Sequence, residues 1–229
     1  MSRDADVSES SPGLSRRVDW RRRPLPRGIK PAVWVLWLAP LGVLIGAAVT
    51  DNLGANPAEA LIRDLGDWAL RALCLALLVT PLRLVLAWPA LGGLRRLLGL
   101  FAAAYAGWHA LAYVWLDQAW VWADVWRDVL KRPFITVGVL AAVGLMLMAV
   151  TSPQAVRRRL GSQRWQRLHQ SVYLVAVLAI LHFAWMRAGK QDFADVWVWG
   201  SVAAVLLASR WPPVRARLQA WGNKRSRAH

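Results

Sequence analysis

Six stretches of this chain carry almost no charge, and each is about 17–20 residues long, close to the length an apolar helix needs to cross a bilayer. They cover residues 31–49, 68–87, 97–116, 134–150, 168–186 and 193–209. A helix rising about 1.5 Å per residue spans the roughly 30 Å hydrocarbon core with such a run. The segments between the runs are short and leave no room for a soluble catalytic domain. The expected fold is therefore all-α, one integral membrane six-helix bundle over residues 31–209. A polar, basic tail over residues 1–30 is expected to be disordered, and residues 210–229 form a second basic tail.

A formal net charge of +16 would suit a nucleic-acid binder, so its distribution decides the matter. With the N-terminal tail assigned to the cytoplasm and sides alternating from there, most of the 29 Lys and Arg fall on the cytoplasmic side. Arg21–Arg22–Arg23, Arg95–Arg96, Arg157–Arg158–Arg159 and the tail residues Arg215, Arg217, Lys224 and Arg225 all lie there. The opposite side is close to neutral. Lys and Arg orient short loops in this way, so the basic runs read as topology and as contact with anionic membrane lipid, with no nucleic acid. Both termini are expected in the cytoplasm. Many of the 16 tryptophans, among them Trp34, Trp68, Trp115 and Trp211, sit near run ends, where amphipathic rings favour the interface.

The first run is too long for the 7–15-residue apolar core of a signal peptide, so it is read as an uncleaved first helix. Asn56–Pro57 begins a turn, and residues 58–65 are expected as a short surface helix capped at Asn56. Trp120, Trp122 and Trp126 suggest an interfacial segment. Thr80–Pro81 is expected to break or kink the second helix. The lone Cys74 can form no internal disulfide. No internal repeat, phosphate-binding glycine loop, cysteine cluster or Ser/His/Asp arrangement is present.

Three histidines, His109, His169 and His182, fall inside apolar runs, the last two on one predicted helix. A charged side chain in hydrocarbon costs roughly 2.5–3.5 kcal/mol or more, so ionisable groups there are functional candidates. Neutral imidazole is also the usual axial ligand of haem iron. The third and fifth predicted helices run in the same direction, so depths can be compared. His109 lies ~20 Å beyond Arg96 and His182 ~22 Å beyond Arg167, at about 1.5 Å per residue. The two are level, nearer the outer surface, and can clamp one iron. His169 lies ~20 Å deeper, opposite Arg95 and Arg96, and arginine is no haem ligand. A second, inner haem therefore lacks a partner histidine. His169 and His182 also stand roughly 140° apart around an ideal helix, so they need not face one cavity. Arg71, read as lying in the first turn of the second helix, could pair with a haem propionate or snorkel to the headgroups. Tyr105 and Tyr113 read as packing residues.

At these residues the chain resembles a known family. Thr151–Ser152, Leu160–Gly161, Trp165, Leu168–His169, Tyr173 and His182 are similar to a segment of the haem-binding subunits of the bacterial periplasmic methionine sulfoxide reductase system, the MsrQ or YedZ family. So are Asn56–Pro57, Gly66–Asp67–Trp68–Ala69–Leu70, Thr80–Pro81–Leu82–Arg83, Arg95–Arg96–Leu97, Tyr105 with His109, and Lys131–Arg132–Pro133. The resemblance covers residues 31–208 and places the chain in the ferric reductase-like transmembrane group. It implies a b-type haem protein of the bacterial inner membrane, also associated with FMN, that passes electrons from the quinone pool. The implied acceptor is a periplasmic molybdopterin-containing reductase that repairs oxidised methionine in proteins. It further implies His109 and His182 as ligands of the outer haem and His169 as a third functional histidine. No residue pattern marks a flavin pocket. No residue here could reduce a sulfoxide, so the chain reads as a non-catalytic electron-donating subunit.

Other readings stay open on the residues alone. The histidines could form a proton relay in a transporter, although no intramembrane Asp or Glu is expected and no inverted repeat is evident. A haem oxidoreductase with a different acceptor, or a membrane scaffold, would also accommodate the pattern.

Overall fold

The structure is a computed structural model that describes residues 24–189, 191 and 193–227, so the Arg21–Arg23 run and His229 lie outside it. The described residues are helical, with no strand among them. In chain order the helices are α1 (Ile29–Val49), α2 (Pro57–Val85), α3 (Gly92–Ala112), α4 (Trp122–Lys131), α5 (Pro133–Val150), α6 (Gln154–Leu160), α7 (Ser162–Gln170), α8 (Val172–Ala188), α9 (Ala194–Ala208) and α10 (Pro212–Arg227). A 3-10 turn, Pro89–Leu91, leads into α3, and a π-helical turn, Tyr113–Asp117, leaves it.

Five helical runs are long and apolar enough to cross a membrane: α1, α2, α3 with its flanking turns, α5, and α7 continued by α8. The sixth apolar stretch forms α9, which is only 15 residues long. The all-α expectation holds, with five helices of spanning length and a shorter sixth.

Packing follows the logic of a bundle whose solvent is hydrocarbon. The α2–α3 pair forms the centre, and small side chains at Ala72, Ala76, Ala102, Ala103 and Ala106 are buried there. Small residues let helix backbones approach closely where apolar burial alone gives no driving force. Large apolar residues such as Val35, Val43, Leu140, Leu147 and Val205 face outward instead. Helix α1 buries only Trp37 and Leu44. It is pinned to α3 by Tyr105, whose hydroxyl donates to the Trp37 carbonyl at 2.5 Å.

Three expectations need correction. The residues read as a surface helix, 58–65, are the first turns of α2, which Pro57 opens at its first position. Asn56 caps it as expected, its Oδ1 accepting from the Glu59 N–H at 3.2 Å. With the start moved back, Asp67 lies inside a spanning helix and Arg71 lies ~21 Å from its beginning rather than in its first turn. Helix α2 also continues through Pro81 to Val85. Pro81 has no N–H for the Leu77 carbonyl, and the Arg210 Nη2 donates to that carbonyl in its place. The predicted fifth helix is present as one 27-residue run, Ser162–Ala188, with a single turn residue at Ser171, so His169 on α7 and His182 on α8 share one span. Finally, Ile29 and Lys30, assigned to the tail from the sequence, belong to α1, and Leu25 packs against the core.

Beyond α9 the second basic tail forms α10, which packs along α2. Gly222 is buried there, where a Cβ would collide with the Leu84 carbonyl. The tryptophan-rich segment forms α4, with Trp122 and Trp126 exposed. Asp128 ties it to the end of α3, accepting from the Tyr113 hydroxyl at 3.0 Å.

Candidate functional site

The first turns of α2 and α5 meet the later turns of α3 and α8, and the two level histidines come together at that junction. The ring centres of His109 and His182 are 6.1 Å apart and their planes are inclined at 74°. Each ring is held from behind by a backbone carbonyl of a neighbouring helix. His109 Nδ1 lies 2.8 Å from the Ile62 oxygen and His182 Nδ1 lies 2.7 Å from the Phe134 oxygen. A carbonyl oxygen can only accept, so both rings carry their proton on Nδ1. Each Nε2 is thereby left with a free lone pair, the form in which imidazole binds a metal.

The spacing suits one metal ion between two imidazoles. Ligands on opposite sides at about 2 Å each hold their ring centres about 6 Å apart. The ring of Phe134 also stacks beside His182, with centroids 6.5 Å apart and planes 29° from parallel. The pair of histidines could therefore hold one haem iron without moving far.

Glycine makes both contacts sterically possible. Gly66 faces His109 and Gly138 faces His182, each with no other side chain between helix backbone and ring. An isolated glycine inside a helical pattern costs about 1 kcal/mol against alanine, and that was the sequence cue to either position.

An ion pair near this junction escaped the sequence reading. Arg187 of α8 donates to Asp67 of α2 at 3.0 Å and lies 3.5 Å from Asp195 of α9. The Arg187 and Asp67 side chains are only 13% and 17% exposed. The expectation that no acid lies inside the apolar helices is thus corrected, with the compensating charge supplied across 120 positions of sequence. Such a pairing has no local signature.

Arg71 is not brought to either histidine by a hydrogen bond among the described residues. Its guanidinium lies 4.6 Å from the ring centre of Trp68 and 5.8 Å from that of Trp199, on the α9 side of α2. Cation–π contact of this kind keeps a charge tolerable beside apolar helices.

His169 belongs to a separate cluster at the opposite end of α8. Its Nε2 and the Thr151 hydroxyl are 3.2 Å apart, and its ring stacks on Trp165 at 4.0 Å. Trp165 in turn donates from Nε1 to the Thr151 carbonyl at 3.0 Å and receives the Arg157 guanidinium on its face at 4.7 Å. Arg95 lies within electrostatic reach of His169, where depth arithmetic had put it. The cluster binds the end of α5 to α7, and the structure does not bring His169 to the other two histidines.

The ferric reductase like transmembrane component family matches residues 65–180 of the chain, which include His109 and His169 and end two residues before His182. The protein-methionine-sulfoxide reductase heme-binding subunit MsrQ of Polaromonas naphthalenivorans is 46% identical over 209 residues, covering 90% of this chain and 94% of that relative. The protein of the same name from Herminiimonas arsenicoxydans is 47% identical over 182 residues, covering 80% and 84%. That from Caulobacter vibrioides is 42% identical over 178 residues, covering 78% and 84%.

Proposed function

Because the chain belongs to the family of MsrQ haem-binding subunits, within the ferric reductase-like transmembrane group, we propose that it is the membrane electron-transfer subunit of a methionine sulfoxide reductase system. In this reading it takes electrons from the quinone pool of the bacterial inner membrane. It passes them to a periplasmic, molybdopterin-containing reductase that repairs oxidised methionine in proteins. FMN, the further cofactor implied by the resemblance, is assigned to no residue.

One observation carries the proposal: two imidazoles with ring centres 6.1 Å apart, each with Nδ1 engaged by a helix carbonyl; in this reading each Nε2 binds iron. A haem b held there supplies one-electron chemistry, cycling between ferric and ferrous iron. The chain's own part is positional and electrostatic. The carbonyls of Ile62 and Phe134 fix the rings and raise the basicity of the ligating nitrogens. The surrounding apolar helices keep water from the site. Arg187 and Arg71 are the cations on the same stretch of bundle that can balance propionate charge, and Arg71 is the candidate named by the sequence. With the basic loops on the cytoplasmic side, the histidine pair lies toward the periplasm, within reach of an acceptor there. His169 is proposed to secure the cytoplasmic end of the bundle, while one haem occupies the paired site.

The experiment is haem loading in His109→Ala and His182→Ala proteins, purified in detergent from haem-replete cells. Each variant should lose haem from this site. Wild-type occupancy in both would overturn the ligand assignment.

A further inference from the structure

Each imidazole of the pair leans on its neighbouring helix at a carbonyl and a glycine spaced four apart: Ile62 with Gly66 in α2, and Phe134 with Gly138 in α5. The coincidence has a geometric cause. In an α-helix the carbonyl of one residue points toward the residue four positions on. A side chain that donates to that carbonyl from outside must therefore pass close to the Cα of the later residue.

A Cβ on Gly66 would stand 3.0 Å from His109 Nδ1 and 3.1 Å from its Cε1. On Gly138 it would stand 2.7 Å from both Nδ1 and Cε1 of His182. Not every helical glycine is confined: Gly99 meets nothing within 4 Å and Gly107 meets only the end of Met146 at 3.4 Å, while the crowded Gly144 and Gly222 face Val175 and the Leu84 carbonyl rather than a histidine. Glycine inside a helix is less favourable than alanine by roughly 0.5–1 kcal/mol, and both helices run unbroken through these two positions.

We infer that Gly66 and Gly138 are positioning residues for the two ligand imidazoles, letting each ring meet its carbonyl edge-on through Nδ1 and so fixing the near-perpendicular angle between the ring planes. The inference rests on the haem reading above. A methyl group at either position forces the ring to rotate or retreat. The Nδ1–H bond to the carbonyl then lengthens or breaks, and the plane and donor strength of Nε2 change with it. The ligand field at the iron reports both quantities. Nearly perpendicular imidazoles give ferric haem a highly anisotropic low-spin signal, whereas parallel ones give a rhombic signal.

The test uses the full chain in detergent, with Gly138→Ala, Gly66→Ala and the control Gly144→Ala. Gly144 is also in α5, and its Cβ would stand 2.5 Å from Val175 Cγ2, so the control is equally crowded but presses on no histidine. Haem per chain, low-temperature paramagnetic resonance of the ferric protein and helical content are measured together. The wild type is expected to show the highly anisotropic signal. Gly138→Ala should lose it or fall severalfold in occupancy, and Gly66→Ala should shift it less, in line with its looser contact. Gly144→Ala should keep the wild-type signal in its folded fraction. If Gly138→Ala does not fold, the milder Gly66→Ala decides. Wild-type signal and occupancy in both histidine-facing variants would overturn the inference, as would an equal change in Gly144→Ala. A wild-type protein without haem would overturn the haem reading, and this inference with it.

Discussion

Arg210 donates from Nη2 to the carbonyl of Leu77, the acceptor in α2 that Pro81 deprives of its helical donor. The bond joins the segment after α9 to the middle of the bundle and lets α2 continue for another turn. Burial pushes the Arg210 guanidinium below the usual arginine value, yet arginine stays charged under all ordinary conditions. Removing the side chain leaves a carbonyl without a partner, which costs about 1–3 kcal/mol. Arg210→Ala should lower the thermal midpoint in detergent accordingly. In a Pro81→Ala background, where residue 81 regains an N–H, the same substitution should cost much less. Equal costs in the two backgrounds would show that the bond does not serve the proline.

The Asp67–Arg187 pair should behave asymmetrically. Arg187 has a second acid at hand in Asp195, whereas Asp67 depends chiefly on Arg187. Arg187→Ala should therefore destabilise the protein by several kcal/mol, as breaking a largely buried pair by removing one partner does. Asp67→Asn should cost clearly less. Chemical unfolding of the two variants side by side checks the order.

His169→Ala should leave the optical signature of the His109–His182 site intact while loosening the α5–α7 junction. The lost contact with Thr151 and the stack on Trp165 amount to about 1–2 kcal/mol. Loss of the haem signal at the paired site in this variant would show that the two histidine clusters are coupled.

Tyr105→Phe should free α1 from the bundle. The hydroxyl is the polar tether between α3 and a helix that buries only two residues, and its bond to the Trp37 carbonyl contributes about 1 kcal/mol. Faster protease cleavage in the 50–56 loop, with haem content unchanged, is the expected result.

The levelling of His109 and His182 was legible in the sequence because a membrane helix is a ruler. The run is straight, the rise per residue is fixed and the basic loops mark its ends. The same ruler put Arg95 opposite His169. What it could not reveal were events between helices. The start of α2 was misplaced because Asn56, Pro57 and Glu59 form a complete cap that reads equally well as a separate surface helix. Nothing between 65 and 68 breaks the chain, and Gly66 is kept for His109 rather than for a turn. Pro81 looked like a break because its rescuing donor, Arg210, lies 133 positions from Leu77. Asp67 looked like a loop acid because Arg187 lies 120 positions away in sequence.

The central claim is that His109 and His182 hold one haem between α3 and α8. Its most direct test is a dithionite-reduced minus oxidised spectrum of the purified chain, with haem quantified per polypeptide. The account predicts a low-spin b-type spectrum at one haem per chain. Protein purified without haem from haem-replete cells would contradict it.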